Sequence, residues 1–249
     1  LGDLAQQHPG NPRYPHMLAL CYRDWGPSFG SRNPREAMEN LDRSVALLED
    51  LVRKFPDMPE YRFDLCEAYT AFDIRHVVPE DFDDAEERLR KALAVSKTLV
   101  AQHPNIASYL VSRTHIQHKL SRLLLRTRRP SEAETCARDA LEIQTALVAQ
   151  FPDTPYYKVW QAMFRISLAN VLVERSRTAD ARVLFEENGK MLAALLNENQ
   201  EMAFLHGLLD MNCRDYAHAL HLMGLRDQAA EAIRLADEHR QAYRAADRR

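Results

Sequence analysis

Ten histidines and four cysteines are the side chains of this chain with most to offer chemically. His115 and His118 stand three residues apart, as do His218 and His221, a spacing that places each pair on one face of a helix. Two imidazoles are only half a metal site. Zinc wants three or four converging ligands, and no HExxH arrangement occurs. No metal and no cofactor is therefore expected. Cys21, Cys66, Cys136 and Cys213 form no CxxC pair and read as reduced thiols. Cys21 and Cys213 lie 192 positions apart, which predicts a shared inward-facing place where a free thiol acts as a small apolar group. P-loop, GxGxxG and GxSxG motifs are absent. Tyr22-Arg23-Asp24 and Cys213-Arg214-Asp215 lack the His that precedes Arg-Asp in a kinase catalytic loop. The carboxylates Asp83, Asp84, Glu132 and Glu134 cluster at helix starts, where the helix dipole favours them. The chain reads as a non-enzyme.

The elements that must position these residues recur. Leu51-Val52-Arg53-Lys54-Phe55-Pro56, Leu99-Val100-Ala101-Gln102-His103-Pro104 and Leu147-Val148-Ala149-Gln150-Phe151-Pro152 are copies of one segment, and Leu4-Ala5-Gln6-Gln7-His8-Pro9 is a weaker one. Five residues after each proline stands a tyrosine: Tyr14, Tyr61, Tyr109 and Tyr157. A second marker, Ala37, Ala85, Ala133, Ala181 and Ala229, repeats every 48 residues. Self-similarity of this kind marks a repeat array.

Each unit reads as two helices, because its apolar residues fall three and four apart. First helices are expected at about 13–25, 59–75, 106–127, 155–175 and 202–223. Longer second helices are expected at about 34–54, 82–102, 131–150, 179–198 and 226–245. The residue before each proline is pushed out of the α region and stops the long helix, while Pro59 and Pro155 open the next one. Ser131-Glu132-Ala133-Glu134 has the spacing of a capping box, and Asn33-Pro34-Arg35-Glu36 is its counterpart in the first unit. His8 and His103, standing where other units have Phe55 and Phe151, read as packing variants. In the first unit the turn Trp25-Gly26-Pro27-Ser28-Phe29-Gly30-Ser31 is longer and more aromatic than the others, and Trp25 and Phe29 are expected to cover the end of the core.

Composition narrows the class further. An apolar fraction of 46%, a charged fraction of 28% and a net charge of -3 fit a globular chain and give no bulk basic character for nucleic acid. Only 7 glycines occur, which disfavours a turn-rich β protein. No apolar run reaches the roughly 18 residues of a membrane span, and residues 1–10 lack the form of a signal peptide. A cytoplasmic location is expected on that basis. Residues 1–9 read as the tail of a preceding second helix, so the chain is expected to be the C-terminal piece of a longer protein. The polar residues of 226–249, among them Asp227, Glu231, Glu238 and Arg240, suit a capping helix.

Ala-x-x-x-(Leu/Phe/Ile/Ala)-x-x-(Ala/Ser/Asn) in the second helices, with Ser121, Ala169 or Ala217 in the first, resembles the tetratricopeptide repeat. Arg90-Lys91-Ala92-Leu93-Ala94-Val95 running into Leu99–Pro104 resembles the long variants behind planctomycete serine/threonine protein kinases. The 48-residue period exceeds the 34 of that repeat, and the first two units carry Trp25 and Asp73 at the small position. The resemblance implies an all-α, right-handed superhelical array of antiparallel helix pairs. It would form a single domain, 1–249, with repeats at about 10–56, 57–104, 105–152, 153–200 and 201–249.

Function follows only from the resemblance: a non-catalytic scaffold that binds a peptide or partner domain in a concave groove lined by first helices. Carried over by position, the groove would present Glu67, Thr70 and Ile74; His115, His118, Arg122 and Arg126; Met163, Ile166, Asn170 and Glu174; and Arg214, His218 and His221. Its arginines suit an acidic or phosphorylated peptide, or a free C-terminus. A regulatory or substrate-docking arm of a kinase-like protein and a self-association module are the alternatives.

Overall fold

The computed structural model describes residues 2–8, 10–25 and 34–247. Among them, all regular structure is helical: α1 (Gly2–Gln7), α2 (Arg13–Asp24), α3 (Pro34–Lys54), α4 (Pro59–Thr70), α5 (Phe82–Gln102), α6 (Ala107–Arg126), α7 (Pro130–Gln150), α8 (Pro155–Glu174), α9 (Thr178–Glu198), α10 (Phe204–Leu222) and α11 (Arg226–Asp247). Two 3-10 turns, Ile74–His76 and Pro79–Asp81, lie between α4 and α5. The chain divides into two compact units, Leu1–Leu123 and Leu124–Arg249. The second helices α3, α5, α7, α9 and α11 start at Pro34, Phe82, Pro130, Thr178 and Arg226, 48 residues apart.

Small side chains set how closely helices pack. Ala37 and Ala85 in the first unit and Ala133, Ala181 and Ala229 in the second are all buried. A second buried row lies seven residues on, at Ser44, Ala92, Ala140, Asn188 and Ala236. With little beyond Cβ at these places, one backbone can approach another. The Ser44 hydroxyl donates to the Ala19 carbonyl of α2 at 2.7 Å, and Cys66 of α4 reaches the Ala92 carbonyl of α5 at 3.5 Å. Asn188 is the bulkiest of the row. Its amide donates to the Ala162 carbonyl of α8 and to Asn212 Oδ1 of α10, and Asn212 donates to the Phe185 carbonyl, so one buried pair joins three helices. Between the two rows, Leu41, Leu89, Ala137 and Phe185 are buried, whereas Ile233 of α11 is 39% exposed, since no described helix follows to cover it.

Pre-proline residues end the long helices as the sequence implies. His103 and Phe151 leave the helix at φ near -130° (-135 and -129), and each packs on the tyrosine after its proline. Within the first unit His8 meets Tyr14, Phe55 meets Tyr61 and His103 meets Tyr109; within the second Phe151 meets Tyr157; centroids lie 5.6–6.1 Å apart. The two histidines do replace phenylalanine in packing.

Other expectations are corrected. α4 stops at Thr70 rather than 75, where the Thr70 hydroxyl donates to the Cys66 and Glu67 carbonyls and Asp73 accepts from the Arg75 amide to start a 3-10 turn. Since α2 and α4 both end before Trp25 and Asp73, no small residue is needed at those positions. Trp25 is 75% exposed and covers no core; the rest of its turn, and Asn33, lie outside the described residues. Cys21 is exposed, not inward, and Cys213 is only partly covered. Ser131 caps nothing. Pro130 takes the first helical position, and Glu134 is turned elsewhere.

The α6–α7, α8–α9 and α10–α11 turns share one device. Arg128, Ser176 and Gly224 have φ of 59°, 60° and 77°. Each amide donates three residues back, and the next amide donates five back, as in Arg177 to Leu172 at 2.8 Å. This is the Schellman closure, in which the left-handed residue is best served by glycine. A Cβ on Gly224 would meet nothing within 4 Å, so its replacement carries only the backbone cost. Gly224→Ala should lower unfolding free energy by about 1 kcal/mol, and Ser176→Gly should raise it by about 0.5 kcal/mol once glycine's chain entropy is set against the relief. Urea denaturation of both variants checks this, and matching shifts of the same sign would contradict the shared closure.

Candidate functional site

Within the first unit, first helices α4 and α6 meet through a polar seam. Ser112 donates to Glu67 Oε1 at 2.6 Å. Lys119 Nζ donates to the Thr70 carbonyl and, at 3.0 Å, to that of Phe72, with its ammonium 5.6 Å from the Phe72 ring centroid. Burial pulls the Lys119 pKa down, against the opposing pull of Glu67 and Asp73. Burial, with Lys119 alongside, lowers His115 to about 4. His118 is lowered to about 3, by burial first and then by Arg122, His115 and Lys119. Both imidazoles are neutral at physiological pH.

His118 is thus no groove residue: it is 8% exposed, and Thr70 and Ile166, 48 residues to either side, are buried as well. That position faces the interior. Ile74 is buried too, in its 3-10 turn. Arg122 is half-buried on α6 and Arg126 is exposed at the end of that helix.

In the second unit, Arg214 occupies the same place as His118 but does not point to open solvent. Its Nε donates to Asp210 at 2.6 Å, and its other arm reaches Asp237 of α11 at 2.7 Å. Asp210 accepts from Arg240 as well. The guanidinium therefore clasps α11 to α10 rather than awaiting an anion. Asn170 of α8 and His218 of α10 do come together, around a residue that pattern-reading passed over. Asn170 Nδ2 donates to Asp215 Oδ2 at 2.6 Å. Burial raises the Asp215 pKa, while Asn170 and the nearby His218 hold it down. His218 and His221 are exposed. Among the described residues, no three His, Cys, Asp or Glu side chains form a metal-binding group, and no helix is long and apolar enough to cross a membrane.

Spacing also misassigns Glu134. Its nearly buried carboxylate accepts from Arg138 at 2.7 Å and Arg177 at 2.9 Å, and also from Arg175. The ion pairs fasten the α8–α9 turn, with its left-handed Ser176, onto α7. The sequence signal was a carboxylate at the end of a lone Ser-x-x-Glu, with two arginines around the turn one repeat later. Shallow concavities over α5 and between α3 and α5 are lined by charges paired with each other, such as Arg90 with Glu86 and Lys91 with Glu87.

Residues 114–155 match the tetratricopeptide repeat family. No curated protein matches the chain in sequence. Among solved structures, the chain is similar to the Q17M form of a Podosopora anserina kinesin-light-chain-type protein of nearly identical TPR-like repeats. Identity is 23% and the TM-score 0.59, over 97% of this chain and 99% of that one. It is also similar to YrrB, described as a TPR protein with an unusual peptide-binding site, at 12% identity and a TM-score of 0.50, over 100% of this chain and 97% of that one. The fold is that of a tetratricopeptide-like helical repeat protein.

Two measurements test the electrostatics. Burial raises the Glu134 pKa and its arginine bonds outweigh that, leaving it below the ordinary 4.5. Its contribution is present above that pH and fades as pH falls through the lowered value. Glu134→Gln should cost about 2 kcal/mol near neutrality, a gap that narrows under acid in pH-dependent urea denaturation. His118 behaves in the opposite chemical sense with the same outcome. The unfolded imidazole takes a proton below about 6.5 and the folded one does not, so stability falls with pH from there. His118→Ile, the residue found at position 166, should flatten that slope by up to about 1.4 kcal/mol per pH unit. Superimposable slopes would show that His118 is not held neutral.

Proposed function

We propose that the chain is a non-catalytic protein–protein interaction scaffold that docks a peptide or partner domain on the solvent faces of its first helices. The observation that carries this reading is a pair of half-exposed aromatics at one register: Tyr156 on α8 and Phe204 on α10 are 50% and 46% exposed, above helix pairs whose inner faces are already filled. Rings left partly in water on a rigid support suit recognition of another chain. The peptide-binding site named for YrrB is in keeping with it. Second helices starting every 48 residues, and the left-handed turn residues at that same interval, support reading the whole chain as one array of long repeats.

An acidic or phosphorylated partner would not use Arg214, which Asp210 and Asp237 engage. The test is binding of the intact chain to an array of extended peptides. Tyr156→Ser together with Phe204→Ser should weaken the best binders at least tenfold with an unchanged thermal midpoint. Full binding by the double variant would remove the proposed face.

A further inference from the structure

The neighbouring faces of α8 and α10 carry a charge opposite to the one an acidic ligand would seek. On a helix, residues 156, 163, 167, 170 and 174 fall on one stripe, and residues 204, 211, 215, 218 and 222 on another. The two stripes are in register, 48 residues apart, on helices tied by the Asn170–Asp215 hydrogen bond. Tyr156 and Phe204 open them, the part-covered Met163 and Met211 follow, and Leu222, 55% exposed, closes the second. Methionine and partly exposed rings adapt to varied apolar partners.

Asp215 and the exposed Glu174 are the carboxylates of these stripes, which hold no lysine or arginine; the exposed His218, three residues from Asp215, is the basic side chain beside it. Three guanidiniums of the second unit are engaged elsewhere: Arg214 by Asp210 and Asp237, Arg175 and Arg177 by Glu134. Asp215 gives one carboxylate oxygen to Asn170. Asn170 holds the carboxylate in place without neutralising it, and part-burial makes its attraction for a cation stronger than in open water.

We infer that the α8/α10 face of the second unit takes a basic, apolar peptide segment, with a lysine or arginine on Asp215 and an aromatic or aliphatic side chain against Tyr156 and Phe204. This rests on the scaffold reading above and adds the charge of the partner. Eleven residues separate Phe204 from Asp215, about 16 Å along a helix. An extended peptide crosses that distance in about five residues, so the two anchors of the ligand should stand four to six residues apart. Arginine suits the carboxylate best, since its fork can bond the free oxygen directionally.

The experiment uses the intact chain and an array of decapeptides with one fixed phenylalanine and an otherwise randomised background. Arginine, citrulline and glutamate are scanned through the remaining positions, with fluorescence anisotropy on the strongest binders. Arginine four to six residues from phenylalanine should bind at least tenfold better than glutamate there, with citrulline between. Asp215→Asn should bring the three within about threefold, and Asp215→Lys should favour glutamate; thermal unfolding checks that both variants fold. Equal or stronger binding of glutamate peptides, or an arginine preference untouched by Asp215→Asn, overturns the inference. If glutamate peptides bind and lose affinity on Tyr156→Ser with Phe204→Ser, the scaffold reading stands and only the charge assignment fails. If no peptide of any charge binds, both fall.

Discussion

Close approach of helix backbones at small residues is the constraint on which the rest of the structure depends. Within each unit, the buried alanine near the start of a second helix and the small residue seven positions later fix how near the partner helix lies. That distance decides which larger side chains can be buried between them and which are left outside. A larger side chain at Ala133 or Ala181 would meet packed neighbours with no room to yield, at a cost typical of overpacking. Asn188 shows how the constraint can be relaxed: a bigger side chain stands there, its Nδ2 donating to the Ala162 carbonyl and to Asn212 Oδ1, while its own buried Oδ1 accepts no hydrogen bond. The two donated bonds offset part of the cost of burying the amide.

Charge then does the work that packing leaves undone at the turns. The α8–α9 turn adopts a left-handed residue without glycine and is held by two arginines closing on the Glu134 carboxylate. In α11, which buries mainly alanines against its neighbour, Arg214 and Arg240 meet Asp210 and Asp237 to add a clasp. Exposed ion pairs contribute little one at a time, but a part-buried network around one carboxylate restrains the chain more firmly. One consequence reaches function. Arg214, which looks from its spacing like an anion receptor, is already engaged by Asp210 and Asp237.

The histidines make a related point. His115 and His118 look like a ligand pair by spacing, yet burial beside Lys119 and Arg122 keeps them neutral and inward. Their chemistry is that of packing, with a pH dependence of stability as its by-product. His8 and His103 go further and simply replace phenylalanine against a tyrosine. An imidazole is flat, compact and half apolar, so a repeat can accept it wherever a ring is wanted.

The helices and most of their ends were legible in the sequence, because each is set locally: apolar residues three and four apart, a proline that stops a helix, a proline that starts one. Ser121, Ala169 and Ala217 announced their burial in the same way. What a polar side chain does was not legible, since that depends on which carboxylate or carbonyl from another helix lies within its reach. Spacing alone misplaces Arg214, Glu134 and His118 for this reason, and it gives no sign of the Asp215–Asn170 bond, whose partners stand 45 residues apart. Helix periodicity belongs to the chain itself. The availability of a charge belongs to the assembled helices, because only packing decides whether a guanidinium meets a carboxylate or meets water.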